Sequence, residues 1–312
     1  MATNRLMMRS ILLLFILLLM GCTVDSDKKL SQRGVYYWRT VFEPDSVELA
    51  FLHEHQIKKL YLRYFDVVQN ESGEAVPNAT LTFRSPRPEG VEVVPTVFIM
   101  NDCMTNPPQD LAEKLLQRVL QMSDTNDMGP VKELQVDCDW TARTRQRYYD
   151  FLQQLRTLAK AEEIVLSATI RLHQLSQPVP PVDRGVLMVY NTGDVTDLKC
   201  EHPILDKADV QPYLRNLKHY KLPMSAAYPL FTWKVLFRRD HFVGILHSDD
   251  EYPVLPSDSI VVRQPDKDQI MEAHDMIGKL RSDLHDEVIL YDLQRKNIIR
   301  FNSEDYEEIY HY

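Results

Sequence analysis

The 312-residue chain has only four cysteines, and no two of them stand in a CxxC or paired His/Cys spacing. A zinc-site pattern is therefore missing. There is also no serine nucleophile elbow, no HExxH and no glycine-rich phosphate loop, which leaves esterase, zincin and nucleotide-hydrolase readings without support. Basic runs are absent too. Lys and Arg number 36 against 45 Asp and Glu, for a net charge of −9, and no basic stripe offsets it. Nucleic acid is thus not expected as a partner. What is present is a 44% hydrophobic content with charges scattered along the chain, the signature of a folded protein with a solvated surface. The length suffices for one large barrel or two ordinary domains.

At the N-terminus, Arg5 and Arg9 precede the apolar run Ile11–Met20, followed by Gly21 and Cys22. A basic start and about ten apolar residues describe a secretory signal, too short to span a membrane as a mature helix. Its end, LLLMGC, resembles a bacterial lipoprotein signal, in which Cys22 becomes the lipidated first residue. That resemblance implies a signal peptide over 1–21, a polar tether over 22–33, a domain over 34–312 and a protein anchored to a membrane of the bacterial cell envelope without spanning it. Cys103, Cys138 and Cys200 would remain, an odd number that excludes a fully paired framework. Cys138, inside an apolar strand, reads as a small buried thiol.

Eight β-type segments are predicted at 34–41, 58–68, 91–99, 133–140, 163–172, 185–191, 222–229 and 286–293. Helical patterns lie at 45–56, 108–122, 141–161, 208–220 and 265–280, with Asp45 and Thr141 as N-caps. Eight strands alternating with helices over ~280 residues is the count of an α/β, single (β/α)8 TIM barrel. A doubly wound sheet is weakened by the missing phosphate loop after the first strand. Two connections are irregular. The one after the second strand is rich in turn residues, and 230–264, after the seventh, reads as an inserted hairpin or lid.

In a parallel barrel, alternate side chains point inward and those at the C-terminal strand ends face the pocket. On the fourth strand Gln135, Asp137 and Asp139 share one face, while Leu134, Val136 and Cys138 share the other, the one suited to packing on helices. Two carboxylates ~6–7 Å apart on the inner face would push their pKa values apart, as general acid/base pairs require. Arg63, inward on the second strand, could instead neutralise Asp137 as a structural pair. Trp38, Asp66, Asn101, Asp102, Arg171, His173 and Tyr228 also stand at strand ends. Aromatic rings beside carboxylates and amides suit a sugar, whose CH faces pack on rings while hydroxyls meet polar groups.

The segment LQVDCDWT resembles the fourth-strand signature of chitinase-like glycoside hydrolases, Asp-x-Asp-x-Glu with an aromatic residue before the Glu. Asp137 and Asp139 fall on the two aspartates and Trp140 on the aromatic, but the catalytic acid position falls on Thr141. MVYN (188–191) resembles that family's Met-x-Tyr-Asp, with Tyr190 and Asn191 on the residues that help hold the substrate acetamido group. Tyr291 stands where the family often carries a Trp platform. Residues 33–295 also resemble a family of bacterial lipoproteins with a related barrel, on Tyr36, Trp38, Asp137, Asp139, Tyr190 and Asn191. The resemblance implies an envelope or dietary glycan as ligand, no metal and no cofactor. Threonine cannot protonate a glycosidic oxygen near neutral pH. Two readings follow: a hydrolase using Asp139 with Asp66, Asp137 or Asp102, or a catalytically lapsed barrel that binds a glycan or an envelope partner.

Overall fold

The structure, a computed structural model, describes residues 31–246 and 252–311. The expected signal peptide, Cys22 and most of the expected tether lie outside the described residues. Eight parallel strands form one sheet: β1 (Gln32–Tyr37), β2 (Lys59–Gln69), β3 (Glu92–Ile99), β4 (Glu133–Asp137), β5 (Val165–Arg171), β6 (Arg184–Met188), β7 (Met224–Pro229) and β8 (Glu287–Tyr291). The order is β1-β8-β7-β6-β5-β4-β3-β2, and β2 pairs back to β1. The sheet is closed, as the eight predicted segments required.

The alternation read on the fourth strand holds. Leu134, Val136 and Cys138 join the outer core, while Gln135 receives the Tyr36 hydroxyl inside the barrel at 2.7 Å. Helices α1 (Ser46–Glu54), α2 (Leu111–Thr125), α3 (Arg145–Ala161), α4 (Lys207–Val210), α5 (Lys267–Gly278), α6 (Arg295–Ile298) and α7 (Ser303–Tyr310) lie between and after the strands. In α3 the residues Tyr148, Phe151, Leu152 and Leu155 are buried at helical spacing, so the apolar stripe that defines the helix also seats it. Asp45 caps α1 in a reciprocal capping box with Glu48, as expected.

Several boundaries differ from the sequence reading. Thr141 is not a cap. Residues 141–144 form a turn tied to Asn101, and α3 starts at Arg145. The helix expected over 208–220 is interrupted at Pro212, which has no N–H to give, leaving α4 and a 3-10 turn at Tyr213–His219. Gln32 and Arg33, assigned to a tether over 22–33 in the sequence reading, belong to β1. Arg33 is buried there by a bidentate pair with Glu307 of α7, both contacts 2.8 Å, and by the His55 carbonyl. A charge can begin a buried strand when a carboxylate meets it in this way.

Two connections carry sheet structure of their own. Ala75–Asn78 folds back antiparallel on the overhanging end of β2. Between β7 and α5, Trp233–Arg238 pairs antiparallel with both His241–Leu246 and Asp258–Arg263, a three-stranded sheet separate from the barrel.

The opposite end of the barrel is charged. Lys59, Glu133, Arg184 and Glu287 are the first residues of the four even-numbered strands. Lys59 meets Glu133 at 2.7 Å and Glu287 at 3.8 Å, and Arg184 pairs with both acids. Ser225 and the Tyr61 hydroxyl also donate to Glu287. One layer of side chains from alternate strands is how such barrels fill their interiors. Here that layer alternates in sign.

Candidate active site at the barrel mouth

The C-terminal strand ends surround a cavity of about 500 Å3. Asp137 closes β4 beside Thr169 of β5, and β5 runs on to Arg171, so the arginine side chain reaches Asp137 from beyond the end of β4. Asp137 Oδ1 accepts from the Thr169 hydroxyl at 2.6 Å and from Arg171 Nη2 at 3.0 Å. The Arg171 Nε donates to Asp139 at 2.5 Å. A single guanidinium therefore spans both aspartates of the fourth strand.

The structural partner proposed for Asp137 from sequence, Arg63, is wrong. Arg63 donates through Nε to Asp66 Oδ1 at 2.7 Å and through Nη2 to the other oxygen of the same carboxylate. The register between β2 and β3 slips between Arg63 and Phe65. A bulge of that kind re-aims side chains, and it lets a residue three along reach the arginine. Strict alternation could not show this. Arg63 remains in the cavity wall, its guanidinium 5.4 Å from the centre of the Trp38 ring.

The two aspartates do not share one pocket. Asp137 lines the main cavity, whereas Asp139 lines a smaller one of about 270 Å3 with His173 and Tyr213. Arg171, Tyr190 and Asn191 stand between, lining both. Burial raises the Asp137 carboxyl above its ordinary range, and Asp139 adds to this, against the opposing pull of Arg171. Burial works against the charge on Arg171, but Asp137 and Asp139 outweigh it and raise its pKa. His173, in the smaller cavity, is lowered, chiefly by burial.

Aromatic rings form the remaining wall. Tyr291 lies 5.8 Å from Trp38 and 5.3 Å from Tyr190, centre to centre, and Phe231 packs between Tyr190 and Trp233. Trp38, Tyr190, Asn191 and Tyr291 are thus gathered at one mouth. Tyr228 is not with them. It is fully buried on the outer side of β7, its hydroxyl 2.8 Å from His285 Nε2. Ala227 and Ser225 are the residues of β7 that point inward, so the parity of the strand excludes its neighbour. Asp66 serves Arg63, and Asn101 holds the turn at Thr141 and Thr144. Thr141 is exposed and lines neither cavity.

Sequence reasoning missed Phe98, Phe231, Trp233, Asp292 and Asn297 in the cavity wall. Phe98 follows from counting alternate residues along β3, and Asp292 comes directly after Tyr291. Phe231 and Trp233 have no such signal. Among the described residues no group of three or more His, Cys, Asp or Glu is placed to hold a metal ion.

No family model matches the chain, and no curated protein matches it in sequence. Solved structures do match in fold. The spore cortex-lytic enzyme SleL of Bacillus cereus superposes with a TM-score of 0.57 at 12% identity, over 89% of this chain and 73% of that one. The SleL of Bacillus megaterium QM B1551 gives 0.55 at 12% identity, over the same shares. A chitinase from Chromobacterium violaceum ATCC 12472 gives 0.56 at 11% identity, over 84% of this chain and 94% of that one. At such identities the likeness establishes the barrel fold alone.

Proposed function

We propose that the barrel mouth binds a glycan bearing acetamido sugars, and that the protein does so from the bacterial cell envelope, held there by lipid on Cys22. The observation that carries the glycan reading is the main cavity itself. Rings of Trp38, Tyr190, Tyr291 and Trp233 converge there with Asp137, Arg63 and Arg171, the mixture of apolar faces and fixed polar groups that pyranose rings require. The fold shared with SleL and a chitinase supports the same ligand class. Chitinase-type turnover is not part of the proposal, since the Thr141 hydroxyl is too weak an acid to protonate a leaving oxygen and lies outside both cavities.

Isothermal calorimetry against a panel of acetamido-sugar oligomers and envelope glycans tests the reading. Trp38→Ala is expected to weaken binding about tenfold or more, the loss of roughly 1.4 kcal/mol of ring contact, with little change in melting temperature. Absence of heat with every glycan would remove the sugar reading.

The anchor is tested separately. Cys22→Ser is expected to abolish metabolic labelling by fatty acid and to release the protein from membranes. Unchanged labelling of the variant would refute the anchor.

A further inference from the structure

Two carboxyls line the main cavity, and they stand on opposite walls. Asp137 ends β4, and Asp292 directly follows β8. In the closed order of the sheet, three strands separate β4 from β8 in either direction. Their surroundings differ in kind. Asp292 is 2% exposed and accepts from two neutral amides, Asn297 Nδ2 at 2.6 Å and Gln294 Nε2 at 2.7 Å. Among the described residues it makes no ion pair. Asp137 has the Arg171 guanidinium beside it, and both of its donors fall on Oδ1. Oδ2 keeps its lone pairs free among the described residues. Burial among neutral neighbours favours the protonated form of a carboxyl, whereas a guanidinium beside it favours the ionised form.

We propose that this cavity hydrolyses a glycosidic bond with inversion at the anomeric carbon, Asp292 donating a proton to the leaving oxygen and Asp137 accepting one from the attacking water. The inference rests on the glycan reading above. As the anomeric C–O bond breaks, its electron pair stays with the departing oxygen, which takes the Asp292 proton. Water forms the new C–O bond from the other face and passes its proton to Asp137 Oδ2. Solvent then returns one proton to Asp292 and removes one from Asp137, so the two carboxyls regain their starting states. Inverting enzymes need one carboxyl on each side of the sugar with room for water between, and Asp137 and Asp292 line the cavity from β4 and β8, with three strands between them in either direction. Burial raises Asp292 above the ordinary carboxylate range despite its two hydrogen bonds and the more distant Lys296 and Arg39. Burial raises Asp137 as well, with Arg171 opposing. The route needs neither a donor at position 141 nor attack by an acetamido group.

The full chain is incubated with acetamido-sugar oligomers and aryl glycosides, and the first product is followed by proton NMR. The expected product has the inverted anomeric configuration. Asp292→Asn should slow cleavage of unactivated oligomers about 10²–10⁴-fold, the usual worth of a general acid, but should spare aryl glycosides whose leaving group needs no proton. Asp137→Asn should slow both. Infrared difference spectra give a readout independent of turnover: wild type should show a protonated carboxyl near pH 7 that Asp292→Asn lacks. A retained anomer, an Asp292→Asn variant as fast as wild type, or absence of that band would overturn the proposal. Calorimetric binding without cleavage would overturn it while leaving the glycan reading intact. Neither binding nor cleavage would end both.

Discussion

Replacing Arg171 by leucine is expected to lower the stability of the folded chain by about 3–5 kcal/mol, because it strands the buried Asp137 carboxylate. Arg171 is the only cation paired with Asp137 among the described residues, at 3.0 Å. The Asp139 contact, on a side chain 59% exposed, adds little to the loss. In urea denaturation the double variant Arg171→Leu/Asp137→Leu should recover part of the stability, since no charge is then left alone. By contrast, Arg63→Leu and Asp137→Leu should combine additively within about 0.5 kcal/mol, because Arg63 answers to Asp66. Additivity of the Arg171 pair would show that the guanidinium does not hold Asp137.

Acid is expected to destabilise the fold as soon as the pH falls below the ordinary histidine value. His274 and His285 stack in parallel at 3.7 Å behind β7, both buried, with the Tyr228 hydroxyl on His285. Burial lowers His274 to about 4, with Asp275 pulling slightly upward. Burial, and then His274 itself, lowers His285 to about 3 against Asp283. The unfolded chain takes up both protons below its ordinary value of 6.5 while the folded chain refuses them. Stability is therefore complete above pH 6.5 and falls as pH drops toward 4, by a total on the order of 5 kcal/mol. Asp137 and Asp292 act in the opposite direction, because a carboxyl raised in the fold binds its proton there first. Glu307, drawn down to about 2 chiefly by Arg33, loses its contribution only in more acid solution, below about pH 4.5. Urea midpoints measured from pH 7.5 to 4 should decline steeply, and His274→Asn/His285→Asn should flatten the decline. A flat wild-type profile across that interval would refute the argument.

The barrel was legible because its signal is periodic and repeated eight times. Each predicted segment overlaps one strand, and errors fall at the ends, where alternation stops. The inward face of β4 was legible for the same reason. Partners were not. Arg63 and Arg171 are equally inward by parity, and only the bulge in β2 and the register of β5 against β4 decide which one reaches Asp137. Tyr228 was misplaced because a strand-end position was taken without its parity. Phe231 and Trp233 reach the mouth from the connection after β7, whose path depends on pairings between distant strands, which no local pattern encodes. Asp292 was visible in the sequence beside Tyr291, but its neutral surroundings come from Gln294 and Asn297 turning back after the strand.

The alternating charges at the base of the barrel also govern how the sheet can close. Glu287 of β8 finds its partners on β2 and β6, and Glu133 of β4 finds the same two cations. Sliding any even-numbered strand by one residue would turn its charge outward into the apolar shell and leave an opposite charge unanswered inside. A two-residue slip would keep the face but move the charge to another level. The ring thus works as a register key. It accepts one stagger of the strands, and it rewards the arrival of β8 only when β2, β4 and β6 are already in step.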